Sequence, residues 1–395
     1  MSLSRREFLE LCGLAGAGAL AGCHGAPPAP LERMPTRALG NSGLMAPILA
    51  FGGVELQPGS RLLLHHALDL GVSLWETGAA YGNGASERAI GAYLEAFPED
   101  RTRVQILTKS TAREPDGLAR DLDASLARLG VAAVEIFLLH GLERASELTP
   151  EVLRWAAEAR AAGRFRAFGF AVHKDMATLL EAAPAIGGID VVLSACNHRL
   201  LAEERMRAAL DGCARAGIGV IAMKTQGLTS LGAPTAEEER ALDPFLRGGL
   251  SLRQARLRAV WAVPAVASIC SLMPMVAALE ENVAAARTPT DLGAAEHRAL
   301  EGYARATAGG WCAGCAACER AAGLPLPEVL RALMYAHGYR DPRRALDLLR
   351  SLPALEGFAP DALARAEAAC PHSLPLARAV REAATLIRGA PCPAP

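Results

Sequence analysis

Eight times between residues 44 and 286 the chain passes from a short apolar run to an amphipathic stretch, and this repeat restricts the fold more than any other feature. The apolar runs are LMAPILAFGG, VSLWETG, VQILTKS, VEIFLLHG, FRAFGFAVH, DVVLSACN, GVIAMKT and VASICSL. Between and after them lie segments such as SRLLLHHALDLG, ASERAIGAYLEAF, DGLARDLDASLARLG and MVAALEENVAAA, whose apolar residues recur with helical period. A continuously apolar strand is buried on both faces, which requires a parallel sheet covered by helices. Eight such units in about 250 residues predict an α/β chain folded as a closed (β/α)8 TIM barrel. An open doubly wound sheet is the alternative, and the absence of a GxGxxG after the first strand counts against it.

Barrels of this type carry their chemistry at the carboxyl ends of the strands. The second run ends in Glu76 with Tyr81 five residues beyond, the third ends in Lys109 and the fourth in His140. Lysine is scarce, only Lys109, Lys174 and Lys224 among 41 basic residues, so a lysine at a strand end is more informative here than in a lysine-rich chain. Carried on WETGAAYG, ILTKS and FLLHG, this combination of carboxylate, phenol, ammonium and imidazole resembles the aldo-keto reductase family, which implies addition of hydride to a carbonyl. Negative charge grows on the carbonyl oxygen, and a nearby group must supply a proton. A phenol with pKa about 10 holds its proton too tightly unless a cation favours the phenolate. Lys109 is the expected cation, and Glu76 is expected to orient it and keep it charged. His140 is expected to orient or polarise the carbonyl.

LGNSGLMAPILAFGG near the start and GIGVIAMKTQG further on resemble the same family. The resemblance spans roughly residues 38 to 290. It implies a catalytic tetrad at Glu76, Tyr81, Lys109 and His140, with glutamate where the family has aspartate. It also implies a small carbonyl substrate and NADPH laid across the strand ends. Asn197, Lys224 and Asn282 are the residues it suggests for the cofactor. Two departures weaken the NADP(H) expectation: Ala171 and Val172 stand where the family has a Ser-Asn pair for the carboxamide, and no basic residue lies between Ser271 and Glu281 to meet a 2′-phosphate.

Ten cysteines are spread unevenly. Cys196, Cys213 and Cys270 sit in apolar runs or on helices and read as small buried residues. Cys312, Cys315 and Cys318 form CAGCAAC, and Cys370 precedes Pro371. Three cysteines at two-residue gaps cannot readily pair with one another, which favours a metal site. The spacing resembles the bacterial ferredoxin arrangement, which implies one [4Fe-4S] cluster on Cys312, Cys315, Cys318 and Cys370 within a C-terminal α-helical domain. Zinc on the same four thiolates is the alternative. Aldo-keto reductases with a C-terminal iron-sulfur helical domain are the nearest resemblance for the chain after its N-terminal segment.

The N-terminal segment MSLSRREFLELCGLAGAGALAGC carries paired arginines, a short apolar run that includes Cys12, and Leu20-Ala21-Gly22-Cys23. SRREFL resembles a twin-arginine export signal and LAGC a lipoprotein cleavage box, which imply export to the periplasmic side of a bacterial membrane and a lipid anchor on Cys23. The apolar run is too short to cross about 30 Å of hydrocarbon. The expected organisation is a signal over 1–22, a Pro-rich linker over 23–37, the barrel over 38–290 and the cysteine-bearing helical domain over 291–395. A formal charge of −1 and 51% hydrophobic residues describe a core-forming protein with no nucleic-acid partner. The expected function is an exported, carbonyl-reducing oxidoreductase served by a redox protein or a membrane electron donor. A catalytically impaired barrel acting in electron transfer or binding is the alternative.

Overall fold

The computed structural model describes residues 33–226, 249–288, 293–306, 311–338 and 341–389. The expected signal, Cys12, Cys23 and Cys392 lie outside these residues.

Eight parallel strands close into a barrel: β3 (Leu49–Gly52), β4 (Leu74–Glu76), β5 (Gln105–Ser110), β6 (Val134–Leu139), β7 (Phe165–Val172), β8 (Val191–Ala195), β9 (Gly219–Met223) and β10 (Val266–Leu272), with β10 pairing β3. Each strand occupies a run expected from the sequence. Alternate residues explain the continuous apolar runs. Leu74, Leu107, Ile136, Leu138, Leu193 and Ile221 pack inside the barrel, while Trp75, Ile106, Phe137, Leu139, Val192 and Val220 pack in the larger core shared with the helices.

Helices α1 (Arg61–Asp69), α2 (Ala85–Ala96), α3 (Pro115–Leu129), α4 (Pro150–Ala161), α5 (Met176–Ile186), α6 (Glu204–Arg215), α7 (Leu252–Trp261) and α8 (Val276–Arg287) surround the barrel. Their ends follow local chemistry. Thr149 caps α4 by accepting from the Val152 amide at 3.3 Å, Pro150 fills its first position, and Gly130 at φ 66° ends α3. Buried Glu87 on α2 ties this layer to the barrel, accepting from the Thr108 hydroxyl at 2.5 Å and from Arg128 Nε at 2.6 Å.

One element departs from the expected pattern. LMAPILAFGG is two strands: β2 (Met45–Pro47) pairs antiparallel with β1 (Thr36–Ala38), and only Leu49–Gly52 enters the barrel. The hairpin brings Leu39, Leu44 and Ala46 into the core inside the barrel. Gly40 turns it at φ 55°, where a Cβ would fall 2.2 Å from the Gly217 carbonyl oxygen. Pro47, lacking an N–H, marks the change of pairing partner.

Beyond the barrel follow α9 (Ala294–Ala306), α10 (Ala317–Ala322), α11 (Leu326–Leu333), a π-helical turn over Met334–Gly338, α12 (Pro342–Arg350), α13 (Pro360–Ala369) and α14 (Leu376–Ile387). From α10 onward these helices share a second core that includes Leu326, Leu330, Leu333, Leu349, Leu376 and Ala383. This unit docks near the carboxyl end of β7. Lys174 pairs with Glu319 and Glu328, Arg320 with Asp175 at 2.9 Å, and the Asp175 amide donates to the Gly314 carbonyl at 2.6 Å. Among the described residues no helix is long and apolar enough to cross a membrane.

Candidate active site

The carboxyl ends of β4, β5 and β6 bring the four expected residues together. Glu76 closes β4, and the short loop after it carries Tyr81. This loop turns through Gly82, Asn83 and Gly84 at φ 56°, 52° and 79° before α2 begins. The left-handed backbone at Gly84 favours glycine, and a Cβ there would also have to displace the Arg128 side chain, 2.6 Å away at Cδ.

Lys109 is buried on β5. Its Nζ donates to Glu76 Oε1 and, at 2.5 Å, to the Thr77 carbonyl. Tyr81 Oη donates to the same Glu76 Oε1 at 2.7 Å, and the Gly53 amide donates to Oε2 at 3.2 Å. Lys109 Nζ lies 4.5 Å from the centre of the Tyr81 ring. The His140 ring stands edge-on to Tyr81 at 5.6 Å, and His173, at the end of β7, stands 6.2 Å from His140.

The extra methylene of Glu76 has a direct consequence. Its carboxylate reaches past the ammonium to the phenol. Burial, then the Glu76 charge and its hydrogen bond, hold Tyr81 well above the ordinary tyrosine range. The phenol is raised on balance chiefly because it is buried, and further because the Glu76 carboxylate accepts from its hydroxyl. His140 is pushed down to about 3 by burial and by the charges of Lys109, Arg113 and Arg331, so it is neutral at physiological pH. Burial likewise drives His173 well below its usual value, with help from Lys224 and Arg331. Each imidazole leaves a buried Nδ1 without a hydrogen-bond partner.

The residues expected to face a nucleotide behave differently. Asn197 Oδ1 accepts from the amides of Arg199 and Leu200 at 3.0 and 3.1 Å, a local cap at the end of β8. Asn282 accepts from Gln226 at 2.7 Å and donates to Ser271 at 3.1 Å, while Ser271 donates to Gln226 at 3.0 Å. Asn282 is thus engaged through both amide atoms and Asn197 through its oxygen. Ala171 and Val172 are buried and apolar. The Ala171 and Val172 side chains offer a nicotinamide carboxamide no hydrogen bond. Lys224 Nζ lies 5.9 Å from the Tyr335 ring centre. Burial lowers its pKa, reinforced by Arg331 and Arg344 and opposed by Tyr335 and Cys312.

Cys312, Cys315, Cys318 and Cys370 are all free thiols. Cys312 and Cys370 pack against the C-terminal core that holds Cys318, and Cys312 is within electrostatic reach of the other three. The Gly314 amide donates to Cys312 Sγ at 3.3 Å, from a loop wound through positive φ at Gly314 and Ala316. Burial pushes the Cys312 thiol up to about 12 and Cys318 up to about 11, so an apposed cation is needed to hold them as thiolates. Four thiols with amide support are suitable donors for an iron-sulfur group. Among the described residues no three His, Cys, Asp or Glu side chains form a set that holds a single metal ion.

Sequence reasoning passed over Cys270, His173 and three residues of the helical unit. Cys270, read as a small buried residue, is indeed buried, yet its thiol meets the Glu76 carboxylate and is held well above its usual value by burial. His173 ends FGFAVH as His140 ends VEIFLLH, a parallel visible in the sequence. Arg331, Tyr335 and Arg344 carry no comparable signal, and only docking of the helical unit brings them to the barrel mouth. Arg344 Cζ lies 4.3 Å from the Tyr335 ring centre. Burial raises the Tyr335 phenol, but Lys224, Arg344 and Arg331 outweigh it and leave the group lowered.

The sequence model of the Aldo/keto reductase family matches residues 57–284, well over half of the 395. The chain is 25% identical over 294 residues to L-galactose dehydrogenase of Arabidopsis thaliana, covering 67% of this chain and 91% of that protein. It is 26% identical over 219 residues to D-threo-aldose 1-dehydrogenase of a Pseudomonas species, covering 46% and 66%. Among solved structures, the holo form of aldo-keto reductase AKR11C1 from Bacillus halodurans superposes with a TM-score of 0.57 at 20% identity, covering 68% and 95%. The thermostable aldo-keto reductase Tm1743, in complex with the inhibitor epalrestat, gives 0.57 at 25% identity, covering 68% and 99%.

Proposed function

Because the chain belongs to the aldo/keto reductase family of oxidoreductases, we propose that it reduces the carbonyl of a small molecule at the Tyr81 rim, with Tyr81 as proton donor. One observation carries this reading: Glu76 Oε1 receives both the Tyr81 hydroxyl and the Lys109 ammonium at the carboxyl ends of the strands. Neutral His140, edge-on to Tyr81, orients the carbonyl oxygen as negative charge develops on it. The Tyr81 proton leaves the carboxylate for that oxygen, and Lys109 stabilises the phenolate left behind. Burial of Glu76 and Lys109 excludes water from the pair and strengthens the field acting on the phenol.

Two electrons and a second hydrogen complete the alcohol: in this reading they come as hydride from a bound nicotinamide, or as two successive electrons from the C-terminal unit, over residues 291–395 beyond a barrel of 38–290, with a further proton from solvent. A [4Fe-4S] cluster on Cys312, Cys315, Cys318 and Cys370 supplies one-electron redox chemistry when bound. The convergence of four unpaired thiols beside the barrel mouth supports it. The same reading includes twin-arginine export behind residues 1–22, a linker over 23–37, lipidation of Cys23, attachment on the periplasmic side of a bacterial membrane, and a redox protein or membrane donor as partner. A second reading, an impaired barrel serving electron transfer or binding, is favoured by the raised Tyr81 phenol.

Anaerobic titration of the purified protein with NADPH and with a chemical reductant, recording nicotinamide and visible cluster absorption with and without carbonyl compounds, separates the two. Carbonyl turnover that Tyr81→Phe lowers by about 100- to 10,000-fold supports the reductase. Turnover unchanged in Tyr81→Phe sinks it.

A further inference from the structure

The barrel mouth carries more positive charge than the Glu76–Lys109 pair uses. Lys224 leaves the end of β9 in the left-handed region, at φ 56°, a strained conformation for a lysine that often marks a functional position. Its ammonium faces the Tyr335 ring, and Arg344 stands over the same ring. Arg331 is within electrostatic reach of Lys224 and Tyr335 and also of His140 and His173.

The nearby acids are engaged elsewhere. Glu319 and Glu328 pair with Lys174, Asp341 caps α12 through the Arg344 amide, and Glu76 holds Lys109 and Tyr81. Among the described residues neither Lys224 nor Arg331 has a carboxylate partner. Burial makes the Lys224 charge costly, and His140 and His173 add buried Nδ1 atoms without partners.

We infer that Lys224 and Arg331 bind an anionic group of the substrate, so that the carbonyl compound reduced at Tyr81 also carries a carboxylate or similar oxyanion. This rests on the reductase reading and adds the substrate class. Arg331 is within electrostatic reach of both His140, whose ring stands edge-on to Tyr81, and Lys224, whose ammonium lies over the Tyr335 ring, so we take an anion held by the two cations to belong to the molecule whose carbonyl lies at Tyr81. Arg344 acts as a positioning residue by fixing the Tyr335 ring that Lys224 faces.

Two other anions compete for these cations. One is the phosphate of a dinucleotide, and the other is the set of thiolates beside Lys224, which Cys312 approaches most directly. The test uses the full chain prepared anaerobically and a matched pair of substrates, succinic semialdehyde and its methyl ester, which share an aldehyde and differ in charge. Succinate serves as an unreactive probe for calorimetry. Wild type is expected to favour the acid. Arg331→Gln is expected to lower the acid-to-ester ratio of kcat/KM by about 10- to 100-fold, mainly through KM, and to weaken succinate binding similarly, with partial recovery in Arg331→Lys.

An unmoved ratio together with undiminished succinate binding in Arg331→Gln overturns the inference. So does an unmoved ratio accompanied by altered iron content or visible absorption, which assigns the cations to the thiolates. Loss of NADPH or inorganic pyrophosphate binding with succinate binding intact assigns them to a dinucleotide and also overturns it. If wild type reduces neither aldehyde yet binds succinate in an Arg331-dependent way, the anion site stands and the reductase reading is what fails.

Discussion

Shortening Glu76 by one methylene separates two tasks that its carboxylate now performs together. Oε1 accepts from Lys109 and, at 2.7 Å, from the Tyr81 hydroxyl. Glu76→Asp withdraws the carboxylate by about one carbon-carbon bond, ~1.5 Å, which stretches the tyrosine contact to about 4 Å and ends it as a hydrogen bond. The flexible lysine stem can follow the carboxylate, whereas Tyr81, fixed by its loop, cannot. A hydrogen bond to a charged group is worth about 1.5–3 kcal/mol, and this amount no longer holds the phenol in its protonated form. The Tyr81 phenol therefore titrates at lower pH in Glu76→Asp, and its proton passes more readily to a carbonyl oxygen. Phenolate absorption followed through an alkaline titration measures this, with Tyr81→Phe subtracted to remove the other tyrosines of the five in the chain. Turnover of a carbonyl substrate should stay level or rise. A Tyr81 that titrates at the same or higher pH in Glu76→Asp would refute the carboxylate's share, added to that of burial, in its raised pKa.

Cys370→Ala is expected to lose most bound iron and visible absorption, while Cys392→Ala keeps both; iron analysis and spectra of anaerobically purified protein decide. His140 is neutral in the fold with a pKa of about 3 against 6.5 unfolded, so its contribution is fully present above about pH 6.5 and is lost as pH falls toward 3. His140→Asn should flatten urea-measured stability across that window by up to about 1.4 kcal/mol per pH unit, and an unchanged slope would show the ring to be solvated. Glu87→Ala strands Arg128 and the Thr108 hydroxyl. A loss of about 3–5 kcal/mol in unfolding free energy is expected, and under 1 kcal/mol would mean that water replaces the carboxylate.

The strands and helices were legible because their signals are local. A strand covered on both faces must be apolar throughout, as in VEIFLL, and a helix on the barrel's outside must be apolar on one side, as in RDLDASLARL. The meeting of Glu76, Tyr81, Lys109 and His140 followed from the same logic, since strand ends in a closed parallel barrel share one rim. What stayed hidden depends on contacts between distant positions. LMAPILAFGG reads as one apolar run whether it is one strand or two, and only the pairing of Thr36 with Pro47 divides it. Asn197 and Asn282 read as free polar groups until the fold supplies Leu200, Gln226 and Ser271 as partners. The rise of the Tyr81 phenol follows first from its burial and then from the Glu76 carboxylate at its hydroxyl, and residue type encodes neither. The cations at the mouth come from opposite parts of the chain, Lys224 from the barrel and Arg331 and Arg344 from the helical unit. Only the docking of two separate hydrophobic cores brings them within electrostatic reach of one another.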